Sequence, residues 1–191
     1  PKSTPVHARG TIVTLGISGI LTATDRATGT VRWRRAFDRE YPKTSPTFGA
    51  AASPLVVDDR VVVPIGHDDQ GALAAFDLAT GAPRWRNGSA LPAYASPLLH
   101  TVGGVRQIVT QTRNSCAAFD PRTGQTLWSV PFTTPYDQNS VTPVALGERI
   151  VFAGVRQPTF ALAPRRAGKE WRAPKVWDTT DATMYMSTPV R

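Results

Sequence analysis

ATDRATGTVRW at residues 23–33, AFDLATGAPRW at 75–85 and AFDPRTGQTLW at 118–128 are one phrase written three times. Each reads Ala-x-Asp-x-x-Thr-Gly-x-x-x-Trp. A worn fourth copy, LAPRRAGKEW, ends at Trp171; it keeps Gly168 and Trp171 and lacks the Asp and Thr. The tryptophans at 33, 85, 128 and 171 are spaced by 52, 43 and 43 residues. A period of this length marks an array of supersecondary units, each burying its apolar faces only against its neighbours.

A second ruler keeps the same phase. A hydroxylated residue, a proline and an apolar residue recur at Thr4-Pro5-Val6, Ser53-Pro54-Leu55, Ser96-Pro97-Leu98, Thr142-Pro143-Val144 and Thr188-Pro189-Val190. Two unrelated patterns in register give four repeats and the opening of a fifth. The repeats are expected at about 4–50, 51–93, 94–139 and 140–186, with 187–191 starting the next.

The unit from Ser53 to Asn87 shows what one repeat is. SPLVV is a short apolar run, and RVVVPI is β-branched and reads as a buried strand. GHDDQG reads as a solvated polar loop, ALAAFDL as a third strand, and PRWRN as a fourth whose alternation fits a half-exposed edge. Four antiparallel strands in some forty residues make a propeller blade. The 17 prolines and 15 glycines argue against long helices, leaving at most a short one in a connection such as 37–50. The fold class is all-β: a β-propeller of four-stranded antiparallel blades.

The repeated phrase has a structural chemistry. Asp25, Asp77 and Asp120 are placed to accept backbone N–H bonds within a turn, and Thr28, Thr80 and Thr123 to support them with their hydroxyls. Gly29, Gly81 and Gly124 close the turn at positive φ. Trp33, Trp85 and Trp128 each supply a broad apolar face to set against a neighbouring repeat. Gly168 and Trp171 are expected to do the same in the fourth repeat, which should be the least regular.

These residues resemble the tryptophan-docking motif of the pyrroloquinoline-quinone (PQQ) type β-propeller repeat. That family includes the quinoprotein alcohol dehydrogenases and the propeller lipoprotein of the outer-membrane β-barrel assembly machinery. The resemblance covers nearly the whole chain. It implies a ring of about seven or eight blades, of which these residues form roughly half, and a periplasmic or otherwise exported location in a bacterium. It specifies fold far better than activity, because one fold hosts many functions.

Lys and Arg together number 22 against 14 Asp and Glu, a net charge of +8. The cations are scattered, many alternating with Trp on fourth strands, which reads as a solvated blade edge. No nucleic-acid module accompanies them, so nucleic acid is not an expected partner. No transmembrane run or secretory signal is visible. Cys116 is the single cysteine and reads as a small core residue. His7 and His100 read as surface histidines in first-to-second strand turns.

The second-to-third strand turns and the connections between repeats share one face, and they vary where the Asp-x-x-Thr-Gly turns do not. Loops on a rigid scaffold are where binding concentrates. The candidate ligand face is therefore His67, Asp68, Tyr94, Arg113, Asn114, Tyr136, Arg156 and Tyr185. Arg113 and Arg156 occupy equivalent turns and are candidates to grip a carboxylate or phosphate together. No nucleophile elbow, phosphate loop, metal set or haem-attachment pattern appears, so catalytic and metal residues are expected to be none.

The resemblance carries an alternative. Quinoprotein dehydrogenases sandwich the quinone between a tryptophan and a disulfide of adjacent cysteines, and hold calcium with carboxylate and amide oxygens. This chain has no adjacent cysteine pair. The favoured expectation is a non-catalytic binding or scaffolding propeller engaging a protein or small ligand at the channel mouth. A PQQ- and calcium-dependent alcohol or sugar dehydrogenase, with catalytic residues outside this stretch, is the alternative.

Overall fold

Short apolar runs separated by Asp, Gly and Asn turns build hairpins, and hairpins in series build meanders. The structure, a computed structural model, describes residues 2–186. The fifth Ser/Thr-Pro repeat and the start of a fifth blade at 187–191 lie outside the described residues. Four antiparallel four-stranded sheets follow one another along the chain. The first three run in strict sequence order. They comprise β1 (Val6–Ala8), β2 (Thr11–Leu15), β3 (Leu21–Asp25) and β4 (Val31–Arg35); β5 (Leu55–Val57), β6 (Arg60–His67), β7 (Gln70–Asp77) and β8 (Pro83–Asn87); and β9 (Leu98–Val102), β10 (Val105–Gln111), β11 (Ser115–Phe119) and β12 (Thr126–Pro131). The 37–50 connection, where the sequence allows at most a short helix, forms no helix; it holds hydrogen-bonded turns instead, Tyr41 N–H to Phe37 O at 2.9 Å and Gly49 N–H to Pro46 O at 2.7 Å. Among the described residues the one helical segment is a 3-10 turn at Pro135–Asp137.

The fourth sheet departs from the expected pattern. Its strands are β13 (Val144–Leu146), β14 (Arg149–Gly154), β15 (Gln157–Leu162) and, after an inserted hairpin of β16 (Arg165–Ala167) and β17 (Glu170–Arg172), β18 (Lys175–Thr179). In the first three sheets the phrase tryptophan pairs with an alanine of the third strand: Ala23 with Trp33, Ala75 with Trp85, Ala118 with Trp128. A register shift follows each of those alanines. In the fourth sheet Ala161 pairs with Trp177, again beside a register shift. Trp177, not Trp171, therefore stands at the repeat position, and Gly168 closes the inserted hairpin instead of an Asp-x-x-Thr-Gly turn. The cause is the insertion itself. Ala163 N–H donates to Pro174 O at 3.0 Å, closing the sheet's own turn around the added residues.

The repeated turns are built as their composition dictates. Asp77 Oδ1 accepts Ala79 N–H at 3.0 Å, Thr80 N–H at 2.8 Å and the Thr80 hydroxyl at 2.9 Å. Asp25 does the same with Ala27 and Thr28, and Asp120 accepts from Arg122 and Thr123 N–H. The following glycine N–H closes on the aspartate carbonyl in all three, at 2.8–2.9 Å. Gly29, Gly81 and Gly124 hold φ of 71–72°. Asp25 and Asp77 also meet Arg32 and Arg84 across the fourth strand.

Two compact units divide the chain, 1–92 and 93–191, each holding two sheets. In the first, Trp33 is buried and its Nε1–H donates to Leu78 O of the second sheet at 2.9 Å. Its ring lies over Gly81, so close that a Cβ there would sit 2.7 Å from Cδ2. Arg35 donates to Gly81 O and stacks over Phe76, and Phe37 meets Phe76 at 5.5 Å between centroids. The Ser/Thr-Pro ruler acquires a purpose here. Thr4 N–H donates to Ser53 Oγ at 2.9 Å, joining equivalent positions of successive repeats just before their first strands.

In the second unit the same ruler makes the same bond, Ser96 N–H to Thr142 Oγ1 at 3.2 Å. Trp128 is buried like Trp33, but the fourth sheet offers it no Asp-x-x-Thr-Gly turn. Its Nε1–H turns to Gln107 Oε1 of its own sheet at 2.8 Å, and its ring stands edge-on to Phe152 at 6.5 Å. Gln107 is fully buried. Trp171 packs from the inserted hairpin against this same cluster. Trp85 is half-buried, and Trp177 is 38% exposed.

Two outcomes follow from the turns. Gly29 and Gly81 share a left-handed backbone, but only Gly81 lies under a ring; nothing lies within 4 Å of a Cβ at Gly29. Gly29→Ala should cost about 1–2 kcal/mol for the backbone alone, and Gly81→Ala roughly 1–3 kcal/mol more for overpacking. Urea midpoints at constant slope read the difference; equal shifts would remove Trp33 from the turn.

The second concerns acid. Chiefly through Arg84, with help from the Thr80 N–H, Asp77 is lowered from 3.8 to about 2, and Arg32 holds Asp25 lower still. Both groups contribute stability that is present above the unfolded value and lost as pH falls through the folded one. The urea midpoint should therefore decline between pH values of 3.8 and about 2. Asp77→Asn should flatten that decline; an unchanged pH profile in the variant would contradict the assignment.

Candidate functional site

In the second unit, the turns at one end of the strands are tied together by one buried amide. Asn139, in the connection after β12, is fully buried. Its Nδ2 donates to Thr112 O at 2.7 Å, Phe132 O at 3.0 Å and Arg113 O at 3.1 Å. Its backbone carbonyl accepts the N–H groups of Tyr94 and Ala95, both at 3.1 Å. Asparagine suits the task because its two amide hydrogens and its backbone oxygen serve three segments at once. The β10–β11 turn, the 132–142 connection and the approach to β9 are thus fixed to each other.

On this knot sits an unusual backbone. Tyr136 and Asp137, consecutive in the 3-10 turn, hold φ of 63° and 55°. Left-handed residues without glycine are costly and persist only where their surroundings hold them. Here Asp137 N–H donates to Thr134 O, and the Asp137 carboxylate meets the Arg113 guanidinium at 2.9 Å. The result thrusts Tyr136 outward, 77% exposed. Arg156, also left-handed at φ 57°, tips the β14–β15 turn and is exposed. The next residue, Gln157, donates to Thr133 O at 2.8 Å, tying that turn to the same connection. Tyr185 donates its hydroxyl to Gln138 and accepts Ser140 Oγ–H at its backbone carbonyl.

The expected ligand-face residues of this unit therefore divide. Tyr94 is buried, Arg113 holds Asp137, and Asn114 accepts Phe132 N–H at its carbonyl. Tyr136, Arg156 and the partly exposed Tyr185 present their side chains outward. The shared grip expected of Arg113 and Arg156 is reduced, because Arg113 already has its carboxylate. Asn139 is not among the residues expected on this face. Nothing local marks a residue that binds three carbonyls distant in sequence.

In the first unit, GHDDQG is mostly strand rather than loop. His67 pairs with Gln70 across β6–β7, leaving Asp68 and Asp69 as a two-residue turn. Asp68 is buried instead of solvated. Its Oδ2 accepts Thr47 N–H at 3.1 Å and the Thr47 hydroxyl at 2.7 Å, fastening the connection between the first two sheets. His67 Nδ1 lies 2.5 Å from Asp69 Oδ1, which holds the Asp69 carboxyl below the usual range. The same connection is anchored by Thr44 Oγ1–H to Ser18 O and Ala50 N–H to Ile17 O, both 2.8 Å. His7 and His100 lie on first strands, β1 and β9, not in turns.

The residues present do not fit the quinone arrangement. The sole cysteine, Cys116, is buried on β11, where burial pushes its thiol up. Among the described residues, no group of three or more His, Cys, Asp or Glu is placed to hold a metal ion. No helix among them is long and apolar enough to cross a membrane.

Known proteins share this architecture. The family model described as outer membrane protein assembly factor BamB matches residues 2–190. The structure of BamB from Moraxella catarrhalis is similar at a TM-score of 0.66 and 17% identity, covering 94% of this chain and 48% of that one. Quinohemoprotein alcohol dehydrogenase from Comamonas testosteroni is similar at a TM-score of 0.57 and 15% identity, covering 88% of this chain and 31% of that one. The enzyme ADHIIG from Pseudomonas putida HK5 gives 0.51 and 16%, covering 83% and 30%. Among curated proteins none matches the chain. The chain spans about half the length of the BamB structure it resembles. At these identities the structures speak for the fold alone, whereas the family model spans nearly every residue. The chain belongs to the PQQ-like β-propeller family of the outer membrane protein assembly factor BamB.

Proposed function

We propose that this chain serves a non-catalytic binding or scaffolding propeller of the bacterial cell envelope. The observation that carries the reading is Tyr136, held outward on two left-handed residues above the Asn139 knot. Aromatic and arginine side chains dominate interface hot spots. Tyrosine supplies contact area with few torsions to freeze on binding. A backbone fixed before binding lowers the ordering cost further. Tyr136, Arg156 and Tyr185 make the contact in this reading. Asn114, Arg113 and Tyr94 shape the loops beneath it, as His67 and Asp68 do in the first unit. Family membership supports an envelope location and a protein partner.

A photo-crosslinking residue tests the reading in cells. Placed at Tyr136 of the full-length protein, it should give a discrete adduct. The same residue at Arg26, in an Asp-x-x-Thr-Gly turn, should give none. An adduct at Arg26 alone would overturn the face assignment. Alcohol oxidation by the full-length protein that requires added quinone and calcium would overturn the non-catalytic reading. Asp137→Asn should weaken the Tyr136 adduct by about fivefold or more, since a lost charge-assisted bond is worth about 1.5–3 kcal/mol.

A further inference from the structure

The inserted hairpin is the one place where the fourth repeat adds chain rather than losing it. Arg165, Arg166, Lys169 and Arg172 fall within eight residues, against a single acid, Glu170. All five are exposed. Arg165 and Arg172 are direct cross-strand partners. Directly opposed like charges destabilise a β pair. Among the described residues neither arginine has an acidic partner, whereas the nearby Lys175 is paired with Asp178. The hairpin thus breaks a local rule without a compensating contact, and such breaches mark function.

Its anchoring is equally specific. Trp171 turns toward the cluster around Trp128 and Phe152, so the hairpin is pinned by its one large apolar side chain. Strand alternation puts Arg165 and Arg172 on the face opposite Trp171. Besides the two arginines that face carries Glu170 and no apolar side chain larger than Ala167. A membrane-surface element needs apolar area to enter the acyl boundary, or more basic residues than these four. Arginine forks match carboxylates bidentately, and a carboxylate held between two side-by-side arginines relieves their mutual repulsion.

We propose that the β16–β17 hairpin is a docking site for an acidic, extended segment of a partner protein, clamped through its carboxylates by Arg165 and Arg172. The site lies in the β15–β18 connection, at the other end of β15 from Arg156. It is therefore independent of the Tyr136 face, and either can fail without the other.

The test uses the full-length protein and a fluorescein-labelled, glutamate-rich octapeptide, read by anisotropy at low and physiological salt. Arg165→Glu with Arg172→Glu should weaken binding by about tenfold or more, two charge-assisted contacts being lost. Arg26→Glu with Arg34→Glu makes the same change of net charge on the first sheet, where both residues are exposed. It should cost about twofold or less, as a long-range term only. Arg165→Lys with Arg172→Lys keeps the charge and should still lose several-fold, because the forks are gone. Equal losses in the two Glu pairs would reduce the site to net charge and overturn the proposal. So would absence of peptide binding at about 1 mM. Tighter hairpin-dependent binding to phosphatidylglycerol vesicles, or to a single-stranded RNA of equal charge, would assign a different occupant and equally overturn it.

Discussion

The fold rests on an indole lying on a glycine. Trp33 from one sheet covers Gly81 in the turn of the next, and its single polar atom finds Leu78 O there. Everything else in the repeated phrase prepares that contact. The aspartate and threonine close the turn from within, which frees its outer surface. The glycine supplies both the left-handed backbone and the absence of a side chain. A four-stranded sheet of such short strands cannot bury both faces alone. Between the first two sheets, an aromatic plate fixed by one hydrogen bond gives a defined separation and register, where apolar contact alone would give only adhesion.

Where the turn is missing, the structure shows what the contact was worth. Trp128 still buries itself, but its N–H is satisfied by the side-chain oxygen of Gln107, whose own Nε2 is buried without a hydrogen-bond partner among the described residues. A buried indole N–H left unpaired would cost about 1–3 kcal/mol; Gln107 removes that cost but leaves its own amide nitrogen unpaired in exchange. The inserted hairpin then contributes Trp171 to the space beside Trp128. One lost turn has thus been replaced by three compensations: a buried glutamine, an extra tryptophan and ten or so residues of new chain. The new chain is also where the chemistry departs most from the other repeats, with opposed arginines on an exposed face.

Much of this was legible in the sequence because the repeat supplied its own alignment. Strand positions, turn chemistry and the roles of the glycines follow from three matching copies. The fourth copy misled for a readable reason. Gly168 and Trp171 stand three residues apart, while Gly29 and Trp33, Gly81 and Trp85, and Gly124 and Trp128 stand four apart. Trp177 holds the repeat position, which only strand pairing could show. GHDDQG looked solvated because its composition is polar, yet Asp68 is buried by a threonine twenty-one residues earlier. The Asn139 knot was not legible either. Its partners are scattered over Tyr94, Thr112, Arg113 and Phe132, and no periodicity announces them. The face that presents Tyr136 thus depends on non-local bonds, while the scaffold beneath depends on local ones.

The most direct test of the lock is a double-mutant cycle in urea between Trp33→Ala and Gly81→Ala. If the ring and the glycine are in contact, the Gly81 substitution has no ring to meet once Trp33 is gone. Its cost should then fall to the bare left-handed penalty of about 1–2 kcal/mol, giving a coupling of about 1 kcal/mol or more between the sites. Strictly additive effects, with Gly81→Ala costing the same in both backgrounds, would contradict the account.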